Sequence, residues 1–84
     1  MTQEEKEKHK KQQFLIEFGN HIRKLRKEKS ISGSELSRLL FMDKPNITRI
    51  EKGRVNPSLY MIKQICKALD ISLDELFKDF KYRK

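Results

Sequence analysis

Apolar residues recur along this chain at helical spacing, and nowhere with the alternation of a strand. Phe14, Phe18, Ile22 and Leu25 fall four, four and three apart on one face, which predicts a first helix over about 14–29. Arg23, Lys24, Arg26, Lys27 and Lys29 crowd its end, where cations suit the helix dipole, and Ser30 breaks it. Ser32-Gly33-Ser34-Glu35 has the form of a capping box: the serine oxygen takes an orphan amide and the glutamate reaches back. Leu36, Leu39 and Leu40 follow as an apolar stripe, so a second helix is expected over about 33–40. Phe41-Met42-Asp43 makes a tight connection. Asp43 is placed to cap a third helix, and Pro45 is tolerable only in a first turn. Ile47 and Ile50 face inward over about 44–52, and Gly53 stops this helix.

Arg54-Val55-Asn56-Pro57 reads as a loop. A fourth helix starts near Ser58 and is expected to bury Leu59, Ile62, Ile65, Cys66 and Leu69. Asp70-Ile71 turns the chain, and Ser72-Leu73-Asp74-Glu75 is a second capping box. Leu73, Leu76, Phe77 and Phe80 share a face of a fifth helix. The expected class is therefore all-α, with five short helices in one domain over 14–80. Residues 1–13 are almost entirely polar. Glu4 with Lys8 and Glu7 with Lys11 favour helix only weakly, and nothing there packs. They read as a tail, flexible or a frayed helix. Lys81-Tyr82-Arg83-Lys84 closes the chain as a basic tail.

Composition narrows the function. A chain of 84 residues makes one domain with a small core, and its 36% apolar content puts part of it outside that core. No apolar run approaches the ~20 residues that span a bilayer. The start Met1-Thr2-Gln3-Glu4-Glu5 lacks the apolar stretch of a signal peptide, and Cys66 has no second cysteine to pair with. The expected location is the cytoplasm. The net charge of +8 is unevenly spread. Residues 1–19 carry four charges of each sign; 20–54 carry ten positive and four negative, giving +6; 55–84 carry six and four, giving +2. A basic middle stretch suits a surface that meets a polyanion, although a solvated face kept for solubility gives the same count.

No catalytic set emerges. His9 lies in the tail, and His21 has no adjacent nucleophile or metal-ligand spacing. Cys66 sits among Ile62, Ile65 and Leu69 and reads as a small buried hydrophobe. Asp70, Asp74, Glu75 and Asp79 are spread around helix starts and exposed faces, and there is no glycine-rich phosphate loop. The expectation is a non-enzyme without metal, cofactor or small-molecule ligand.

The second and third helices, each of about two turns and joined by three residues, have the dimensions of a helix-turn-helix. The residues say more than the dimensions. Gly19-x-x-Ile22-Arg23-x-x-Arg26, Ser32-x-x-Glu35-Leu36, Ile47-x-x-Ile50-Glu51-x-Gly53, Asn56-Pro57-Ser58-Leu59 and Ala68-Leu69-x-Ile71-Ser72-Leu73-x-Glu75-Leu76-Phe77 agree in order and spacing with one family. From about Phe18 to Phe77 the chain closely resembles the lambda-repressor-like, Cro/XRE-type DNA-binding domains.

The resemblance implies a five-helix lambda-repressor-like domain that binds double-stranded DNA sequence-specifically and regulates transcription. It implies that Asp43–Lys52 is the recognition helix, with Lys44, Pro45, Asn46, Thr48 and Arg49 at the positions that touch bases. The chemistry suits the role: Lys and Arg donate to guanine O6 and N7, Asn pairs with adenine, and Thr serves either. Lys44 and Arg49 have a plainer use as well, neutralising phosphate, since phosphate contacts outnumber base contacts. Phosphate contacts are implied for Ser32, Gly33 and Ser34 with the helix amides beside them, and for Lys52, Arg54 and Asn56 around the following loop. Arg26 and Glu51 are implied to join helix 1 to the end of helix 3 by a partly buried ion pair, which makes Glu51 structural.

Three residues depart from the family pattern. Phe41 stands where the family often has Gly, at a turn position associated with positive φ, so the turn is open to a different construction. Gly33 offers only its amide where a polar side chain is common. Pro45 has no donor; it can pack on a thymine methyl, and it biases Lys44 away from helical geometry. The expected assembly is a homodimer on a pseudo-palindromic operator with half-sites ~34–36 Å apart, joined through helices 4 and 5 with Phe14 and Leu15. The competing reading is an antitoxin or adaptor of the same fold, with Leu73, Phe77, Phe80 and Tyr82 holding a protein partner. The basic tail is too short to anchor the chain on a membrane.

Overall fold

The computed structural model describes residues 1–82; Arg83 and Lys84 of the basic tail lie outside the described residues. Five α-helices follow one another: α1 Gln3–Glu28, α2 Gly33–Leu39, α3 Lys44–Glu51, α4 Leu59–Ala68 and α5 Leu73–Lys78. No strand occurs among the described residues, and none of their helices is long and apolar enough to cross a membrane. The core is built from one face of each helix. Phe18, Ile22 and Leu25 of α1 meet Leu36, Ile47, Ile50, Ile65, Cys66, Leu69 and Leu76. Burying an Ile or Leu side chain fully contributes ~1.5–3 kcal/mol, so six essentially inaccessible ones (Ile22, Leu36, Ile47, Ile65, Leu69 and Leu76) hold the helices together.

Where the residue pattern places a tail, the structure has helix. α1 begins at Gln3, not near residue 14, and every side chain from Met1 to Phe14 is exposed. Tertiary packing reaches its end, where the Phe14 ring meets Phe80 and Tyr82, so local terms support the turns before it. Thr2 and Glu5 form a reciprocal capping box: the Thr2 hydroxyl accepts from the Glu5 amide at 3.1 Å, and the Glu5 carboxylate accepts from the Thr2 amide at 3.0 Å. Once Phe14–Glu28 is helical, each further residue costs no new nucleus.

Four helices end in the same way. Ser30, Phe41, Gly53 and Asp70 have φ of 59°, 54°, 72° and 57°, each one residue past a C-cap. Their amides donate to Lys27, Arg38, Ile50 and Lys67, and the next amides (Ile31, Met42, Arg54, Ile71) donate to Arg26, Ser37, Arg49 and Cys66. These are the paired bonds of the Schellman motif, which requires a left-handed residue and usually an apolar one after it. Ile31, Met42 and Ile71 do pack against the core. Arg54 occupies the equivalent place after α3 and is exposed.

Several local expectations are corrected. Ser32 accepts from the Glu35 amide at 3.0 Å, but the glutamate does not reach back, so α2 has half a capping box. Asp43 sits at the N-cap of α3 without a side-chain capping bond. Leu39 and Leu59, expected in apolar stripes, are 49% and 68% exposed. Ser72 and Glu75 do make the reciprocal box at α5. His21 Nε2 lies 2.8 Å from the Leu76 carbonyl, which can only accept, so that nitrogen carries a proton and ties α1 to α5.

Candidate nucleic-acid interface

α3 packs against α1 and α2 through Ile47, Ile50 and Glu51, which are buried. Two glycines let α1 lie directly across its end. A Cβ on Gly19 would fall 2.5 Å from the carbonyl oxygens of Ile50 and Glu51, and one on Gly53 would fall 2.5 Å from the Ile16 amide. Real side chains never approach so closely, so both positions exclude any larger residue without a shift of backbone. The contact is locked by Arg26. Its Nε donates to Glu51 Oε2 at 2.7 Å, Nη2 donates to Oε1 at 3.0 Å, and Nη1 donates to the Ile31 carbonyl at 2.8 Å. The hydrogen-bonded Glu51 carboxylate pushes the Arg26 pKa further up, against the opposing effect of burial. Among the described residues no buried side-chain polar atom lacks a partner.

With Ile47, Ile50 and Glu51 turned inward, the rest of α3 faces solvent. Lys44, Pro45, Arg49 and Lys52 are exposed, and Asn46 and Thr48 are half-buried. Despite Pro45, Lys44 is the first residue of the helix. Arg49 Nη1 donates to Asn46 Oδ1 at 2.9 Å, so the two side chains stand together one turn apart. Arg49 keeps the remaining donors of its fork free, and Asn46 keeps its amide hydrogens. The Thr48 hydroxyl donates back to the Lys44 carbonyl at 3.3 Å and leaves its oxygen as an acceptor. The fork and amide donors are of the kind that read base edges in a major groove.

Three shallow clefts surround this face. The first, about 290 Å³, lies between α1, the start of α2 and α3, and includes Asn20, Arg23, Gly33, Lys44, Thr48 and Lys52. A second, about 400 Å³, is bounded by Lys44, Pro45, Thr48, Arg49 and Arg54. The third, about 520 Å³, runs from Lys52–Asn56 to Lys8, Lys11, Gln12 and Leu15 on α1. Lys44 and Thr48 border the first two, Lys52 the first and third, and Arg54 the second and third, so they form one continuous surface. Among the described residues the only acid lining it is Glu51, which Arg26 neutralises. A basic surface whose one acid is already paired attracts a polyanion.

The flanking positions fall around this surface. Ser32, Ser34, Arg54 and Asn56 are exposed and Gly33 is half-buried. Ser32 spends its oxygen on capping, and a Cβ on Gly33 would meet the Lys44 stem at 3.7 Å, an ordinary contact. The Ser34 carbonyl accepts from the buried Ser37 hydroxyl at 2.7 Å. Arg23 and Asn20 line the first cleft, although sequence reasoning gave Arg23 only a place in the family motif and at the basic end of α1, and Asn20 none. Their spacing from Arg26 along α1, three and six residues, was the available signal.

Among the described residues no three His, Cys, Asp or Glu side chains gather where they could hold a metal ion. Cys66 is buried, and burial, helped by the Glu75 carboxylate, pushes its thiol pKa up, which disfavours the reactive thiolate.

Comparison with known proteins agrees with this geometry. The family described as helix-turn-helix matches residues 22–76. The chain is 39% identical over 67 residues to the control protein C.MunI of a Mycoplasma species, covering 79% of this chain and 90% of the relative. It is 38% identical to the solved restriction-modification controller protein C.AhdI from Aeromonas hydrophila, with a TM-score of 0.71 over 75% of this chain and 96% of that one. ClgR, the clp gene regulator of C. glutamicum, shares the fold at 22% identity, with a TM-score of 0.71 over 75% and 81% of the two chains.

Proposed function

The chain belongs to the Cro/XRE-type helix-turn-helix family of DNA-binding regulators, and on that premise we propose that it is a sequence-specific transcriptional controller of the restriction–modification type. It works without enzymatic activity, cofactor or small-molecule ligand. The observation that carries this reading is the outward face of α3, where Lys44, Asn46, Thr48 and Arg49 stand on a surface whose single acid is already paired. In the proposed complex α3 lies in the major groove. Lys44, Asn46, Thr48 and Arg49 read base edges, and Pro45 packs against a thymine methyl. Ser32, Gly33 and Ser34 at the start of α2, with Lys52, Arg54 and Asn56 beyond α3, hold the phosphates on either side.

The protein acts as a homodimer on a pseudo-palindromic operator. One short recognition helix offers little affinity, and two related by a two-fold axis read half-sites ~34–36 Å apart. Leu59 and Tyr60 at the start of α4 and Phe77 on α5 are exposed, at 68%, 65% and 43%, and supply the apolar surface such an interface needs. Phe14 is 38% exposed and, like Phe77, stacks its ring on Phe18, so it adjoins the same proposed seam of α4 and α5.

Selection of bound fragments from a random duplex pool tests this. A recovered motif with two related half-sites at one-turn spacing is the expected result, with log affinity falling by ~0.9 per log unit of salt for each phosphate neutralised. A pool that enriches no motif overturns the reading and favours a protein-binding role for the fold.

A further inference from the structure

The third cleft lies outside the helix-turn-helix itself. One wall is the N-terminal half of α1, a segment that precedes the family match at residue 22. We propose that Lys8 and Lys11 bind the phosphate backbone of DNA flanking the half-site, continuing along α1 the phosphate track that Lys52 and Arg54 begin.

The inference rests on the DNA-binding reading above and on four features of this cleft. First, the wall is helix and not a loose tail. The Thr2–Glu5 capping box starts α1 at Gln3, which fixes Lys8 about 10 Å along the axis from Leu15 at 1.5 Å per residue. Second, the wall is placed against the loop: the backbone of Leu15 and Ile16 meets Gly53 so closely that no Cβ fits between them. Third, Lys8 and Lys11 line the same cleft as Lys52, Arg54 and Asn56, and the first cleft shares Lys52 with it. Fourth, Glu7 and Glu17 of this helix line a neighbouring groove, which shares Lys11 with this cleft, and Glu7 is engaged by Lys10 at 3.6 Å, so of the nearby acids Glu4 alone reaches a cleft cation among the described residues.

Four cations therefore border a cleft with no acid on its walls. The pairing that touches it, Glu4 with Lys8 at 4.0 Å, is between side chains about four-fifths exposed and is readily exchanged for a phosphate. Lys11, Lys52 and Arg54 have no ion-pair partner among the described residues. Like charges so close are unfavourable unless a polyanion neutralises them, and a DNA strand presents one charge every ~3.4 Å.

The test uses the full chain, the K8A/K11A variant and the K8R/K11R variant, on the selected operator alone and on the same operator with about one helical turn of flanking duplex. Alanine keeps the helix, and circular dichroism verifies that it does. Wild type and K8R/K11R should bind the flanked duplex more tightly than the bare operator, and K8A/K11A should lose that gain. On the flanked duplex its salt slope should fall by ~0.9 for each phosphate contact removed. A K8A/K11A protein that keeps the wild-type slope and flank effect overturns this inference and leaves α3 as reader untouched. A wild type that binds no duplex in a salt-dependent way overturns both.

Discussion

Arg26 and Glu51 are 25 residues apart and meet as a two-pronged ion pair, Nε to Oε2 at 2.7 Å and Nη2 to Oε1 at 3.0 Å, with both side chains about nine-tenths buried. Because Glu51 is the last residue of α3, this pair joins α3 to α1. Removing one partner strands a buried charge, so Glu51→Ala should cost ~3–5 kcal/mol in urea unfolding. The double change R26M/E51L should cost far less than either single change, because it removes both charges.

Phe41 sits at φ 54° and is 97% exposed, so its backbone is strained and its side chain gains nothing by burial. A left-handed L-residue costs ~1–2 kcal/mol, and glycine at such a site gives back ~0.4–1 kcal/mol in chain entropy. Phe41→Gly is expected to stabilise the fold by roughly 0.8 kcal/mol, the difference of the mid-range values of those terms, seen as a rise of a few degrees in the midpoint of a thermal melt. An unchanged or lower midpoint contradicts the strain assigned to this turn.

Gly19→Ala should do the opposite. Its Cβ meets two backbone carbonyls at 2.5 Å, and backbone cannot swing aside as a side chain can. The expected loss is at least the ~1–3 kcal/mol of an overpacked core, and duplex affinity should fall with it although Gly19 lies in α1 behind the reading face. Parallel calorimetry and binding titrations check both.

Two groups give the fold a pH dependence. The hydrogen bond that the Thr2 amide donates to the Glu5 carboxylate, with a smaller effect of the Thr2 side chain, holds Glu5 below its usual range. A carboxylate so lowered supports the helix end above the ordinary glutamate pKa of ~4.3, and that support is lost as the pH falls through the folded value. Carbon chemical shifts of residues 3–13 should therefore lose helical character in acid before those of α3. Burial raises Cys66. Its contribution is complete below the ordinary thiol pKa of ~8.5 and declines as the pH climbs toward the folded value. Native protein at neutral pH should resist alkylation that the urea-unfolded chain accepts at once.

The helices that carry the proposed reading and clamping residues were legible in the sequence because their signals are local: periodic apolar faces, Ser caps, Gly53 after α3. What was missed depends on either competing local terms or distant neighbours. Thr2-x-x-Glu5 is a capping-box pattern, but it opens an almost entirely polar stretch with nothing to pack, which reads as a tail. Leu39 and Leu59 have the right period but lie at the edges of their stripes, and only the packed partners decide which side of an edge is covered. The missing reach of Glu35 depends on a rotamer that no spacing specifies. Gly19 belonged to a motif, but its purpose, the distant carbonyls of Ile50 and Glu51, becomes visible only when α1 crosses α3. The exception at Arg54 emerges once four helix ends are seen to share one geometry and one of them carries a cation where the others carry an apolar anchor.

The central claim is that the exposed side of α3 reads bases while the loop beyond it grips the backbone. The most direct measurement compares Arg49→Ala and Arg54→Ala on the selected operator and on an unrelated duplex at one salt concentration. Arg49→Ala should lose ~1–3 kcal/mol on the operator and little on the unrelated duplex. Arg54→Ala should weaken both to a similar degree. If Arg49→Ala lowers the two affinities equally, or neither, α3 does not read sequence through this residue and the account is wrong.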